Sequence, residues 1–110
     1  MPDFIFRELP LLSWLDVRTN RLKTLPFNIS QHQGLTTLLL DENLFDKLPP
    51  YLALSVNLSN VTYRDNILNW PSEQILNKGW KEVRIHLLEF MAEADKEEVD
   101  IIKKFRFNFN

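Results

Sequence analysis

The 110-residue sequence predicts an α/β solenoid, with a short parallel sheet along its concave face and a helical cap at its C-terminal end. Three observations predict it. Leu35, Leu38, Leu40 and Asn43 recur at one constant offset, as Leu12, Leu15, Val17 and Asn20 before them and as Leu58, Val61, Tyr63 and Asn66 after them. Self-similarity at a fixed spacing is what stacked coils leave in a sequence. Two copies also continue alike, through Leu22, Leu25 and Pro26 in one and Phe45, Leu48 and Pro49 in the next. Beyond residue 79 the spacing changes to that of a helix, as expected of a cap.

In chain order, residues 1–11 read as the second half of a coil whose first half is absent, since the same offset carries Phe6 to Ile29 and Leu9 to His32. A stack that begins this way exposes apolar side chains and a bare strand edge. The expectation is therefore an open N-terminal end, covered by another chain or by residues missing here. Full repeats follow at 12–34, 35–57 and 58–79, with strands over 14–18, 37–41 and 60–64. Leu15 and Val17, Leu38 and Leu40, and Val61 and Tyr63 alternate with the period that turns side chains to one face of a strand. Asn20, Asn43 and Asn66 fall where each strand turns back, where an amide can both donate to and accept from backbone groups. Pro26 and Pro49 set the bend into a return segment, with Ile29 and Leu52 pointing inward.

The third copy departs from the frame at Asn66-Ile-Leu-Asn-Trp70-Pro71. Ser72 reads as the N-cap of a short helix halted near Gly79. A second helix starts at Trp80, with Val83, Leu87, Phe90 or Met91, and Ala94 on one face, and residues 80–110 form the cap helix and tail. The ending Phe105-Arg-Phe-Asn-Phe-Asn110 alternates aromatic and polar residues. Two readings fit it: a strand added to a partner's sheet, or an unstructured chain end.

These residues resemble the intracellular, Leu-Pro-containing class of leucine-rich-repeat proteins. The frame L-x-x-L-x-L-x-x-N, the Leu-x-x-Leu-Pro continuation and the ending Asn66 to Lys78-Gly79 carry the resemblance, which spans about residues 5–91. Ile67 and Ser72 depart from it, standing where the class has prolines. The resemblance implies a non-enzymatic protein-binding module with no catalytic residues to carry over, and relatives with more repeats on the N-terminal side.

Composition bounds the function. An apolar share of 45% with 25% charged residues is that of an ordinary folded domain. A net charge of -2 supplies no field to draw in nucleic acid or an anionic membrane. No cysteine is present, which excludes thiol catalysis and thiolate metal sites and leans towards a reducing compartment. The start Met1-Pro-Asp-Phe-Ile-Phe-Arg-Glu does not read as a signal peptide, and no window is expected to span a membrane. The glycosylation triplets at Asn28, Asn57 and Asn60 then read as coincidence, and the expected location is the cytoplasm, with cytoskeletal or ciliary association as an option.

The search for chemistry ends without a constellation. His32 takes the position of Leu9 and reads as a packing residue, His86 is far from it, and two glycines cannot build a phosphate loop. Asp41, Glu42 and Asp46 lack calcium-loop spacing. Catalytic, cofactor-binding and metal residues are all expected to be none. The outward strand positions align instead in rows, Trp14–Thr37–Asn60, Asp16–Leu39–Thr62 and Arg18–Asp41–Arg64, with Thr19, Glu42 and Asp65 beyond. Opposite charges in the third row are expected to pair across strands. Trp14, Asp16, Arg18, Leu39, Asp41 and Arg64 are therefore the candidate protein-binding residues, in a scaffold that holds a partner of unknown identity through the sheet. Two other functions fit the sequence: a structural subunit embedded in a large assembly, and the regulatory module of a larger enzyme.

Overall fold

Leu15, Leu38 and Val61 stand side by side in a three-stranded parallel sheet, and that register positions everything else. The computed structural model describes the backbone of residues 1–108 and the side chains of residues 1–96. Its elements are α1 (Phe4–Glu8), β1 (Trp14–Asp16), a 3-10 helix (Phe27–Gln31), β2 (Thr37–Leu39), a second 3-10 helix (Pro50–Leu54), β3 (Asn60–Thr62), α2 (Glu73–Leu76) and α3 (Trp80–Asn108). The strand order is β1-β2-β3, and each strand pairs with its equivalent in the next repeat.

The strands are three residues long, shorter than expected, because the backbone turns soon after each. Thr19, Glu42 and Asp65 adopt left-handed conformations (φ 60°, 57° and 56°), which side-chain-bearing residues seldom do. The turn is held by asparagine. Asn43 is buried, and its Nδ2 donates to the carbonyls of Val17, Leu40 and Asp41 at 3.0, 3.0 and 3.2 Å, while its Oδ1 accepts the Leu22 N–H at 3.0 Å. Asn66 does the same one strand along, donating to Leu40, Tyr63 and Arg64 carbonyls and accepting the Phe45 N–H. Asn20 reaches only its own strand, at the Val17 and Arg18 carbonyls.

Beneath the sheet, Leu35, Leu38, Leu40, Phe45, Leu48, Ile29 and Leu52 have no exposed surface. Each such side chain contributes about 1.5–3 kcal/mol through burial. Proline precedes both 3-10 helices, which turn Ile29 and Leu52 into the core. Ser72 Oγ accepts from the Ile75 N–H at 3.4 Å and caps α2. Gly79, at φ 91°, separates α2 from α3. α3 lays Trp80, Val83 and Leu87 into the same core as the strands, with Met91 partly buried beside them. Trp80 Nε1 and Arg84 Nη1 both donate to the Leu58 carbonyl, at 3.0 and 3.1 Å.

The predicted leucine-rich-repeat solenoid is corrected by this arrangement. The described residues form a small globule of one three-stranded sheet and three α-helices. In a solenoid each unit meets copies of itself, so the number of units is open. Here only the central coil has a like neighbour on both sides. The first packs on α1 through Phe6, which meets the His32 ring edge-on at 5.7 Å, and the third is closed by α3. One core runs from Phe6 to Leu87. The ending is corrected as far as Asn108, through which the backbone is helical, and residues 109–110 lie outside the described residues. The reading of its aromatic side chains lies outside the described residues.

Gly34 is a close-approach position. A Cβ there would stand 2.7 Å from the Pro10 carbonyl oxygen and 3.1 Å from that of Leu12, both backbone atoms that cannot swing away. Gly34→Ala is expected to destabilise the fold by about 1–3 kcal/mol, read from the urea midpoint. Asn43→Ala removes four hydrogen bonds of a buried amide, strands the Leu22 N–H and should cost ~2–4 kcal/mol, whereas Asn20→Ala, at an exposed site with two bonds, should cost under ~1 kcal/mol. Equal losses at the two asparagines would contradict the different work assigned to them.

Candidate interaction face

The face of the sheet opposite the core carries the rows that the sequence predicts. Trp14, Thr37 and Asn60 align, as do Asp16, Leu39 and Thr62. Trp14 is 54% exposed, an unusual position for an indole, and Leu39 is half-buried beside Asp16. Thr62 Oγ1 is buried without a hydrogen-bond partner among the described residues.

The third row differs from expectation. Arg18 does not reach Asp41. It folds back on its own strand to Asp16, its Nε donating to Oδ1 at 2.9 Å and its Nη2 to Oδ2 at 2.8 Å. Asp16 Oδ1 also accepts the backbone N–H of Arg18 at 3.0 Å. The cause is position. β1 is an edge strand, so the Arg18 N–H has no neighbouring strand, and the nearest carboxylate turns to it and brings the guanidinium along. In β3 the matching N–H, that of Arg64, is accepted by Asp41 Oδ1 from the strand before it at 2.7 Å. The cross-strand ion pairs Arg18–Asp41 and Asp41–Arg64 are absent among the described residues.

Next to this row lies an open polar groove of about 470 Å³, lined by Asp16, Arg18, Thr19, Asp41, Glu42, Arg64 and Asp65. Four carboxylates and two guanidiniums give it a net negative lining. Thr19 Oγ1 donates to Glu42 Oε2 at 2.9 Å and links β1's turn to β2's. Asp16, Arg18, Asp41 and Arg64 therefore meet in one groove, while Trp14 and Leu39 occupy the flat part of the face beside them. Thr19, Glu42 and Asp65, which the alignment of repeats sets just beyond the rows, line the groove as well, and sequence reasoning misses that. A left-handed Thr or Glu carries no signal of its own in a sequence; only the repeat spacing could have pointed to it.

The groove is lined by carboxylates, guanidiniums and a hydroxyl, and neither histidine is among its lining residues. His32 lies away from it, buried, with Nδ1 accepting from the Leu35 N–H at 3.1 Å, so that Nε2 carries the proton donated to the Leu9 carbonyl at 2.9 Å. His86 sits 6.0 Å from the Trp70 ring. Among the described residues, no group of three or more His, Cys, Asp or Glu side chains is placed to hold a metal ion. No helix of the described residues is long and apolar enough to cross a membrane.

Hydrogen bonding to the Arg18 side chain and backbone N–H holds the Asp16 carboxyl below the usual carboxylate range, and the same pairing raises Arg18. A carboxyl depressed in the folded state contributes its stability above the unfolded value, and the contribution is lost as pH falls through the folded value. Arg18→Gln is therefore expected to return the Asp16 titration, followed by carbon-detected NMR, upward towards the ordinary range. An unmoved titration would show that another group holds the carboxylate.

No protein-family profile matches this chain. A 63-residue stretch is 41% identical to part of the PAN2-PAN3 deadenylation complex catalytic subunit PAN2 of Scheffersomyces stipitis. The stretch covers 57% of this chain and only 5% of that protein, so the chain spans a small fraction of that relative's length.

Proposed function

We propose that this protein is a non-enzymatic interaction module that holds a partner protein against the exposed face of its sheet. One observation carries the reading: Trp14 is 54% exposed at the start of β1, on the same sheet face as half-buried Leu39 one row along. A tryptophan in that setting has the character of a binding anchor, since its large rigid surface is ordered at small entropic expense. Asp16 and Arg18 already hold each other in one geometry, so a partner need not immobilise them. The groove alongside is lined by more carboxylates than guanidiniums and suits a partner with basic residues flanking an apolar side chain.

A second reading has its own observation. The likeness to 5% of a much longer catalytic subunit fits a regulatory module within a larger enzyme. Sequencing the full-length transcript separates the two readings, because only the second needs a catalytic region in the same chain.

Removal of the anchors tests the leading reading. Truncating a central tryptophan removes ~2 kcal/mol or more of binding, about thirtyfold in Kd. Trp14→Ala combined with Leu39→Ala should therefore deplete the proteins crosslinked to the wild type in cell extract, as quantified by mass spectrometry. Leu54→Ala, at an exposed position in the second 3-10 helix, should leave them in place. Retention of every crosslinked protein by the double variant would defeat the reading.

A further inference from the structure

His32 has no part in the interaction groove, is only 5% exposed, and has both ring nitrogens in use. Nε2–H donates to the Leu9 carbonyl at 2.9 Å, and Nδ1 accepts the Leu35 N–H at 3.1 Å. The flanking repeats close the same turn by other means. Leu9 and Ser55 stand where His32 stands, one repeat back and one repeat forward. In both, the N–H three residues on goes to a backbone carbonyl, that of Leu12 to Leu9 and that of Leu58 to Ser55, each at 3.1 Å. In the central repeat a ring nitrogen takes the place of that carbonyl. The His32 carbonyl is left to accept the Ser55 hydroxyl at 3.1 Å.

A carbonyl accepts at any pH, whereas an imidazole nitrogen accepts only while it is unprotonated. A proton on Nδ1 would set two N–H donors against each other in a buried site. The charges around the ring do not help it. The cavities beside it are lined by Phe6, Arg7, Pro10, Asn28, Gln31 and Gln33, so the one charge in that lining, Arg7, repels an imidazolium. Asp3 and Glu8, the carboxylates of this segment, pair with Arg7 at 3.9 and 3.4 Å and are not part of the lining. The first 3-10 helix carries no charged residue. The second has only the Tyr51 phenol, which donates to the Leu25 carbonyl.

The same ring is what the N-terminal segment rests on. Phe6 meets it edge-on at 5.7 Å, and Nε2–H holds the Leu9 carbonyl just after α1. The Asn28 amide adds one bond, to the Asp3 carbonyl at 2.8 Å. α1 itself has five residues, too few to persist as a helix once undocked.

We infer that His32 is an acid-sensitive latch: neutral, it holds α1 against the first 3-10 helix, and protonated, it swings out and releases α1. The released ring takes the proton that the docked ring excludes, so acid favours release. The contribution of the latch is present while the ring is neutral and is lost as pH falls through the mildly acidic range in which an exposed imidazole becomes charged. The sheet survives, because the Leu35 N–H then has the His32 carbonyl to bond, as Leu12 and Leu58 have those of Leu9 and Ser55. The latch does not depend on whether the face of Trp14 and Leu39 binds a partner.

The test is hydrogen exchange of the intact 110-residue protein, followed by NMR from about pH 8 to about pH 5, with each amide referred to its unstructured rate at the same pH. The Leu9 amide, bonded to the Ile5 carbonyl in α1, is expected to lose about tenfold or more of its protection as the ring nitrogen signals of His32 change from the Nε2–H tautomer to the doubly protonated form. The Leu40 amide, bonded to the Thr62 carbonyl in the sheet, should keep its protection. His32→Gln supplies a donor and an acceptor that do not titrate, and should hold Leu9 protected across the range with Arg7, Asp3 and Glu8 still in place. His86→Gln, which removes the other histidine, should respond as the wild type does. The proposal is overturned if Leu9 stays protected in the wild type after His32 is protonated, or if Leu40 loses protection in step with it. An equal loss at Leu9 in folded His32→Gln would also overturn it, by assigning the response to another group.

Discussion

The amide of Asn43 ties the first two strands of the sheet together at their turns. That side chain lies between two strands, donates to three carbonyls that each accept a second hydrogen bond, and is the acceptor for the Leu22 N–H. An unsatisfied buried polar group costs about 1–3 kcal/mol, so the amide stabilises a reversal this soon after so short a strand. Because Asn66 repeats the arrangement one strand along, the register of β1, β2 and β3 is set by hydrogen bonding as well as by the alignment of Leu15, Leu38 and Val61.

Closing the turn in this way has a consequence for the exposed face. The residue before each asparagine is driven into the left-handed region, and at Thr19, Glu42 and Asp65 this brings polar side chains together beside Asp16, Arg18, Asp41 and Arg64. The polar groove is thus a by-product of the tight reversal. Trp14 has no such origin. Neither the core nor the turn requires an indole at the start of β1, and its exposure is explained by nothing else within the described chain.

Much of the local structure was legible in the sequence, because spacing maps directly onto it. Equivalent residues of successive repeats do pair, Ile29 and Leu52 do point inward, and Ser72 does cap a helix. The side-chain partner of Arg18 was not legible. Alignment placed it beside Asp41, but the choice between Asp41 and Asp16 was decided by an unpaired N–H at a sheet edge, which exists only once the sheet has formed. The tail misled for a related reason. Alternation in Phe105–Asn110 left a strand or an unstructured end open, whereas through Asn108 the helix already running from Trp80 is extended by its own backbone bonds.

Strand positions, their register and the asparagine turns were therefore written into the primary chain, since each follows from side-chain identity at a fixed separation. The closing of these coils into a small globule was not. It came from long-range packing, with α1 and α3 set against the first and last coils through Phe6, Trp80, Val83 and Leu87. Periodicity describes how like units stack and carries no information about the unlike elements that end the stack, so the overall shape is settled where the repetition stops.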